Sequence, residues 1–400
     1  MSAPSNGLEA APFQPVVIVG GGFAGLTLAL KLSRQHPRPP IVLVEPREQF
    51  AFLPLLYELL SGELQPWEVA PRYDTLLNSS GISLIKDRVN SINWQSKTVM
   101  TASGQNLSYG QLVLATGSKP NDFGIPGVSE HALHFHSLAD VSSLRQRLRT
   151  VQRLNGNQIN GTLPALIIVG AGATGVELAC KLADLVEGRV ALHLIEQGDQ
   201  ILPLARAFNR EQAEASIRHK GIQCHLNARV ETMTDNSVTF TGQGRTTTLA
   251  HHGLIWTAGT RSSRPTLTPE LSETTDRLAV DASLRSLSIP DCLVIGDLAM
   301  HSQADTKTSS WPSTAQVAMQ QGEAAAATVM AMRQDQAPKP FHFNDLGEML
   351  SLGKGNATVT GMGLTMAGPL AFNLRRLTYL ARLPKASLGL RSAGAWLLSR

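Results

Sequence analysis

Cysteine is scarce in this chain of 400 residues. Only Cys180, Cys224 and Cys292 are present. None stands in a CxxC pair or at a His/Cys ligand spacing, so neither a disulfide framework nor a structural zinc site is expected. A reducing compartment fits that usage. Charge of one sign is also lacking. Thirty-five Lys and Arg against 31 Asp and Glu leave +4, too slight an excess over this length to indicate nucleic-acid binding. No run approaches the roughly 18 uninterrupted apolar residues that a spanning helix needs, so any membrane association must be peripheral. The opening MSAPSNGLEAAPFQP has no basic start followed by an apolar stretch. Residues 1–15 therefore read as a disordered leader rather than a secretory signal.

What is present is core material. The chain is 42% hydrophobic, with 34 Gly and 22 Pro, which makes it globular rather than disordered. At roughly 150 residues per domain its length suggests two to three domains. The first ordered segment is the β-branched run Val16 to Val19. It ends in Gly20-Gly21-Gly22-Phe23-Ala24-Gly25 and leads into a helical pattern through Leu32. A second strand, Ile41 to Val44, ends in Glu45. The pattern recurs: Ala165 to Val169, then Gly170-Ala171-Gly172-Ala173-Thr174-Gly175, a helix through Leu185, and Val190 to Ile195 ending in Glu196.

A GxGxxG turn lets a pyrophosphate approach the backbone at a helix N-terminus, while an acid about twenty residues on accepts hydrogen bonds from a ribose. A single match also suits a tight structural turn. Two matches, each following a strand, opening a helix and carrying the acid, predict two nucleotide sites about 150 residues apart. The duplication runs further. Residues 82 to 114 alternate short strands and turns and close on Leu114-Ala115-Thr116-Gly117, and Trp256-Thr257-Ala258-Gly259 repeats that ending. Residues 292 to 297, Cys-Leu-Val-Ile-Gly-Asp, form another short buried strand ending in an acid. They precede a helical stretch from Ser313 to Met332, and this segment returns to the first domain.

The expected layout is α/β, with a FAD-type dinucleotide domain over 16–125, a connection over 126–160, an NAD(P)H-type domain over 161–285, a second part of the first domain over 286–335, and a C-terminal region over 336–400. Glu196 can accept from both hydroxyls of an adenosine ribose and would repel a 2′-phosphate, which favours NADH. Arg206 and Arg210 follow closely, either as cations that rescue NADPH or as solvated helix charges.

These motifs resemble the two-dinucleotide-binding-domain flavoproteins, where Gly296-Asp297 matches the final flavin motif. Asp297 also suits a helix N-cap. The resemblance implies FAD held by Gly20, Gly22, Phe23, Ala24, Gly25, Glu45, Pro46, Arg47, Val89, Thr116, Gly117, Gly296 and Asp297. It implies NADH or NADPH held by Gly170, Gly172, Thr174, Gly175, Glu177, Glu196, Ala258 and Gly259. The missing cysteine pair excludes the disulfide reductases and the sulfide–quinone reductases. Cys180 reads as a small buried hydrophobe, so electrons must pass directly from flavin to an external acceptor.

Ala315-Gln316-Val317-Ala318-Met319-Gln320-Gln321-Gly322 is similar to the AQxAxQQG quinone-site motif of the type II NAD(P)H:quinone oxidoreductases. Gln316 and Gln320 share a helix face. They are expected to border a flat dicarbonyl ring, with Trp311 as a wall of the pocket. Glu177 matches the Gly-Val-Glu of the same family, where the acid positions nicotinamide or relays a proton to quinone; a first-turn Glu also complements a helix dipole. Lys354 matches a basic residue near the flavin, or is a surface lysine. A narrower resemblance, over Phe52-Leu53-Pro54-Leu55-Leu56-Tyr57-Glu58 to Gly62-Glu63 and Trp67 to Arg72, is to the cyanobacterial and plastid branch that reduces demethylphylloquinone.

From Pro369 to Arg400 there are six cations, Arg375, Arg376, Arg382, Lys385, Arg391 and Arg400, and no acid. Leu370, Phe372, Leu377, Leu390, Trp396 and other apolar residues lie between them, and Pro384 and Gly389 are expected to divide the stretch into short helices. Basic amphipathic helices lie in the headgroup plane of anionic membranes. The alternative is a dimerisation or core-packing helix pair. The expectation is a peripheral protein on the cytoplasmic side of a thylakoid or plasma membrane, reducing a naphthoquinone or plastoquinone, with homodimerisation common in the family and no nucleic-acid partner. A soluble ferredoxin-type reductase and a nucleotide-binding redox sensor are the rival readings.

Overall fold

The computed structural model describes residues 14–154, 163–271, 275–301 and 311–398. The chain divides into two compact units.

The first unit takes the chain through Phe50, then Arg72–Ser118 and Ser262–Phe343. Its centre is a five-stranded sheet in the order Cys292–Val294, Gln111–Leu114, Val16–Val19, Ile41–Val44, Ile82–Ile85, with every neighbouring pair parallel. Three of these strands, VVIV, QLVL and CLV, are buried along their whole length, as parallel strands covered on both faces must be. The helix Phe23–Leu32 follows the first strand and packs on the long helix Ala315–Arg333. Gly322 permits that contact, since a Cβ there would stand 2.5 Å from the Ala24 carbonyl oxygen. A second small sheet, Thr266–Thr268, Val89–Asn93, Thr98–Thr101, Asn106–Ser108, completes the unit.

The second unit holds Ala51–Pro71, Lys119–Arg261 and the chain from Asn344 onward. A parallel sheet in the order Gln223–His225, Ala191–Ile195, Ala165–Val169, Leu254–Trp256 repeats the first unit's core on a smaller scale. The helices Ala173–Val186 and Ala207–His219 follow its strands. An antiparallel sheet, Ala228–Met233, Ser237–Gly242, Arg245–Ala250, adds an apolar layer through Val230, Val238 and Phe240.

The α/β class and both dinucleotide-type sheets are as expected, but the unit boundaries differ from the expected ranges. Residues 262–285 return to the first unit because Thr266–Thr268 pairs with Val89–Asn93 and Leu278–Val280 pairs with Ala299–His301. The 126–160 stretch is more than a connection. It carries the helix Leu138–Leu154, whose Val141, Leu144, Leu148 and Val151 are buried, and Arg145 Nε donates to the Leu60 carbonyl at 3.2 Å. Residues 155–160 of that stretch and 1–13 of the leader lie outside the described residues.

The C-terminal region is also built differently from expectation. Before any helix comes a three-stranded antiparallel sheet, Glu348–Ser351, Ala357–Gly361, Leu364–Gly368. Two helices follow, Pro369–Ala381 and Ala386–Leu398. Pro384 lies between them, but Gly389 sits inside the second helix and divides nothing. A Cβ at Gly389 would stand 2.5 Å from the Leu380 carbonyl oxygen, so glycine is there to let the two helices meet.

Candidate functional site

In the first unit the residues expected to bind FAD gather at the C-terminal ends of the parallel strands. Gly20 follows the first strand, Glu45 the second, Thr116 and Gly117 the fourth in chain order, and Gly296 and Asp297 the last. The turn's glycines have separable reasons. Gly20 has φ +100°, and a Cβ there would stand 2.5 Å from the Ala115 carbonyl oxygen; a Cβ on Gly25 would overlap the Gly20 carbonyl. A Cβ on Gly22 would meet nothing within 4 Å. Gly22 also starts the helix Phe23–Leu32 without any side-chain cap or first-turn acid. A positive helix end therefore faces open space. The buried Thr116 Oγ1 and Gln321 Nε2 lack protein partners. Open room, an uncapped helix end and unsatisfied polar atoms fit a polar, anionic ligand such as a dinucleotide pyrophosphate.

Glu45 is buried and heavily bonded. Its carboxylate accepts from Gly21 N–H at 2.7 Å, Arg47 N–H at 2.9 Å, Arg47 Nε at 2.7 Å and Arg47 Nη2 at 3.0 Å. Burial pushes its pKa up, but Arg47 and the two N–H donors outweigh burial and hold it below the usual carboxylate range. Tyr73, unexposed, donates its hydroxyl to the Gly21 carbonyl at 2.7 Å. No sequence motif marks Tyr73. Phe23 meets Phe50 edge to face at 5.2 Å. Asp297 accepts from Ser118 Oγ at 2.6 Å, while the N-cap of its short helix Gly296–Leu298 is Ile295. Pro46 is exposed and Val89 half-buried.

The acceptor-motif helix begins at Ala315, where Thr314 Oγ1 caps it by accepting from Val317 N–H at 3.2 Å. Gln316 and Gln320 are half-buried and one turn apart on this helix. The motif's last two residues serve the fold: Gln321, unexposed, accepts from Gly296 N–H at 2.7 Å, and Gly322 seats the glycine helix. Trp311 stacks edge to face on Phe341 at 5.2 Å and lies 5.0 Å from His301, so it packs as part of this unit's core.

The second unit repeats the turn nearly atom for atom. Gly170 has φ +99° and a Cβ there would stand 2.8 Å from Ala258 Cα; a Cβ on Gly175 would overlap the Gly170 carbonyl; a Cβ on Gly172 would meet nothing. The helix Ala173–Val186 again has no side-chain cap. Glu196 accepts from Ala171 N–H at 2.7 Å and Gly198 N–H at 2.8 Å. Ala258 and Gly259 end the facing strand, with the exposed Phe123 ring against Gly259. The two arginines weighed as NADPH partners are engaged elsewhere. Arg206 pairs with Asp345 at 2.8 Å, and Arg210 donates to the carbonyls of Leu202 and Ala205 at 3.3 and 2.9 Å.

Glu177 is buried two residues beyond Gly175. Its Oε1 accepts from Ser351 N–H at 2.7 Å and from Arg375 Nη2 at 3.2 Å. Burial raises its pKa above the usual carboxylate range; Arg375 and the Ser351 N–H oppose this, and Glu58 adds to it. Thr174 stands beside the Tyr57 hydroxyl. Lys354 is exposed, and its backbone N–H donates to Asp184 at 2.6 Å. The three cysteines are free; burial pushes the Cys180 thiol up to about 12.

Two cations expected to face a membrane do not. Arg375 and Arg376 are 1% and 6% exposed. Arg375 pairs with Glu58 and Glu177, and Arg376 Nη2 donates to the Glu63 carbonyl at 3.4 Å. The tail holds no acid, but acids distant in sequence meet it in space. The Trp396, Leu397 and Leu398 side chains and Arg400 lie outside the described residues.

The sequence pattern of the pyridine nucleotide-disulphide oxidoreductases matches residues 14–322. A demethylphylloquinone reductase of Synechocystis is 34% identical over 96% of this chain and 97% of its own length. The alternative NAD(P)H-ubiquinone oxidoreductase C1 of Arabidopsis thaliana is 32% identical over 92% of this chain and 78% of its own length. Among solved structures, NDH2 of Plasmodium falciparum in complex with NADH matches the fold with a TM-score of 0.86 at 17% identity, covering 96% of this chain and 98% of that one. The chain belongs to the pyridine nucleotide-disulphide oxidoreductase family and, within it, to the type II NAD(P)H:quinone oxidoreductases.

Proposed function

We propose that this protein is a FAD-dependent NAD(P)H:quinone oxidoreductase that does not pump protons, acting on a membrane naphthoquinone of the demethylphylloquinone kind. The observation that carries this is the twin pair of glycine turns, each with an open second glycine and an uncapped helix end. Bound FAD would supply the two-electron chemistry between NAD(P)H, as hydride donor, and the quinone, as acceptor. The likeness to a demethylphylloquinone reductase supports the naphthoquinone; plastoquinone is the next candidate. Among the described residues no helix is long and apolar enough to cross a membrane, in keeping with an enzyme that moves no ion across one.

The first turn, with Gly20, Gly22, Phe23, Ala24 and Gly25, would seat the FAD pyrophosphate on the backbone N–H groups of the helix end. Glu45, Pro46, Arg47 and Val89 would line its adenosine half, and Thr116, Gly117, Gly296 and Asp297 would line its flavin half. The second turn, with Gly170, Gly172, Thr174 and Gly175, would seat the nicotinamide nucleotide, with Ala258 and Gly259 behind it. Glu196 would take the ribose hydroxyls. Arg206 and Arg210, the two cations weighed for a 2′-phosphate there, are engaged with Asp345 and with backbone carbonyls, which supports NADH over NADPH. Gln316 and Gln320 would border the quinone ring, and Glu177 would hold or release a proton as quinone is reduced.

For the tail the proposal is a narrower one than the sequence suggests. Leu370, Leu377 and Leu390 are exposed at 76%, 48% and 76%, and Met362 and Leu364 of the neighbouring hairpin at 81% and 48%. With Arg382, Lys385 and Arg391 on the same two helices and the loop between them, they would offer apolar and basic contacts for peripheral attachment to anionic lipid. Homodimerisation through the same surface is the other use.

Anaerobic stopped-flow tests the function. NADH should reduce the bound flavin, and a demethylnaphthoquinone should reoxidise it quickly; reoxidation by ferredoxin alone would make this a soluble electron-transfer reductase. The double variant Gln316→Ala, Gln320→Ala should slow quinone reoxidation about 100-fold while leaving flavin reduction intact, the scale on which a positioned group acts. Equal loss in both half-reactions would remove the two glutamines from the acceptor site.

A further inference from the structure

The helix Pro369–Ala381 is expected from its sequence to be an outward-facing basic helix, yet Arg375 is the largest fully buried side chain of the described residues. Its guanidinium donates to Glu58, to the Pro54 carbonyl at 2.9 Å and to Glu177 Oε1 at 3.2 Å, and lies 4.9 Å from the centre of the Tyr379 ring. Glu58 is 1% exposed and Glu177 is 7% exposed. One guanidinium is thus shared by two buried carboxylates, and the second oxygen of Glu58 has no protein partner.

Such a group is a poor way to hold a helix down. Desolvating the charges offsets most of their attraction, and apolar side chains of similar volume would serve as well or better. The geometry does more for Glu177 than for stability. Arg375 and the Ser351 N–H both bind Oε1, which fixes the plane of the carboxyl. Other titratable groups act on Glu177 too, and the Tyr57 hydroxyl hydrogen-bonds its carboxyl. Tyr57 and Glu58 come from the helix Leu56–Ser61, Tyr379 comes from Arg375's own helix, and Cys180 and Lys181 lie on the helix of Glu177, with Lys181 paired to Glu63 at 2.6 Å. Arg375 is the cation in direct contact.

We propose that Arg375 is a positioning residue for the reaction: anchored by Glu58 and the Pro54 carbonyl, it fixes the orientation and the charge of the Glu177 carboxyl. This rests on the role given above to Glu177. It makes the C-terminal helix a part of the chemistry, whatever surface the helix also attaches to.

The test uses the flavin-loaded protein and four variants: Arg375→Met, Arg375→Lys, Glu58→Gln and Glu177→Gln. The infrared carboxyl band that Glu177→Gln removes is titrated with pH in each. Removing the cation should move that titration to higher pH in Arg375→Met, and removing the competing carboxylate should move it to lower pH in Glu58→Gln. The pH profile of quinone reoxidation should move in the same two directions. Arg375→Met should also lower kcat by about 10- to 100-fold with the KM for NADH unchanged, the usual scale for loss of a supporting partner, and Arg375→Lys should recover part of it.

An unmoved titration in Glu58→Gln and Arg375→Met, with Glu177→Gln still impaired, would overturn the proposal and leave the Glu177 reading standing. Unimpaired turnover in Glu177→Gln would sink the Glu177 reading instead, and the infrared titration would still report whether Arg375 governs that carboxyl. Should Arg375→Met fail to fold, Glu58→Gln, whose amide oxygen can still accept from the Arg375 guanidinium, decides the matter by the direction of its shift.

Discussion

The two glycine turns share a backbone and differ in their acids. Glu45 is locked by its neighbour Arg47 in a bidentate pair and by the Gly21 N–H. Glu196 is held by two backbone N–H groups, from Ala171 and Gly198. Tyr73 further braces the first turn by bonding the Gly21 carbonyl. A braced site with a fixed acid suits a ligand that stays, and a lighter site suits one that comes and goes at each turnover. On the assignment proposed above, the same local motif would be tuned by what stands around it, for a resident cofactor in one unit and an exchanging co-substrate in the other.

Substituting the third glycine is the harshest way to break this comparison. A Cβ at Gly25 or Gly175 overlaps the carbonyl of Gly20 or Gly170, so Gly25→Ala and Gly175→Ala should each destabilise their unit by roughly 1–3 kcal/mol through forced backbone shifts. The outcomes should then part. Gly25→Ala should purify with little flavin, whereas Gly175→Ala should keep its flavin and show a raised KM for NADH. Flavin absorbance and steady-state kinetics read this directly, and equal flavin loss in both would erase the distinction between the turns.

The second glycine sharpens it. Because nothing lies within 4 Å of a Cβ built on Gly22 or Gly172, Gly22→Ala and Gly172→Ala should leave the melting of the apoprotein within about 0.5 kcal/mol of the parent. Ligand affinity should fall about tenfold, for flavin in the first case and for NADH in the second, as the methyl occupies room the pyrophosphate needs. A large change in apoprotein melting would mean the open space is not a seat at all.

At Glu196 the change should be one of preference. Glu196→Gln removes the charge that repels a 2′-phosphate, so the ratio of kcat/KM for NADPH over NADH should rise about tenfold, or 1.4 kcal/mol. An unchanged ratio would place nucleotide choice elsewhere, with Arg206 and Arg210 released from their present partners as the next residues to vary.

The smallest effect concerns acid stability. Glu45 has a folded pKa below its unfolded one, so it contributes stability above the ordinary carboxylate range that is lost as pH falls through the lowered value. Arg47→Met should remove that contribution. Its side chain is 53% exposed, so solvent screening limits the effect to about 1 kcal/mol or less. The variant should melt lower at pH 7 and converge on the parent in acid; a constant difference at all pH values would show that Arg47 acts by packing.

Much of the fold was legible because its signals are local. A buried β-branched strand, a glycine turn and a terminal acid fall within thirty residues of each other, and both copies formed as expected. The expected helix over Ser313 to Met332 was one to two residues from the observed Ala315–Arg333. What escaped depends on distance in sequence. Glu58 and Arg375 are 317 residues apart, and nothing in a run of tail cations without acids says that two of them turn inward to meet acids elsewhere. The crossing of 51–71 and 262–285 out of their expected ranges is set by strand pairing and packing that composition does not record. Tyr73 carries no motif because its work is a single hydrogen bond to a backbone carbonyl. Gly389 was misplaced for the opposite reason: glycine marks breaks and tight crossings alike, and only the neighbouring helix tells which.

The close seating of Gly322 against Ala24 has a consequence for how this enzyme could change its acceptor over generations. The rod that presents Gln316 and Gln320 touches, backbone to backbone, the rod that opens the cofactor turn. Sliding one would drag the other, so an acceptor site bordered by Gln316 and Gln320, as proposed above, would have no freedom to widen by moving its helix. Its range would then be explored one side chain at a time, at positions 316 and 320 and in the loops around them, while the scaffold beneath stays where the cofactor requires it.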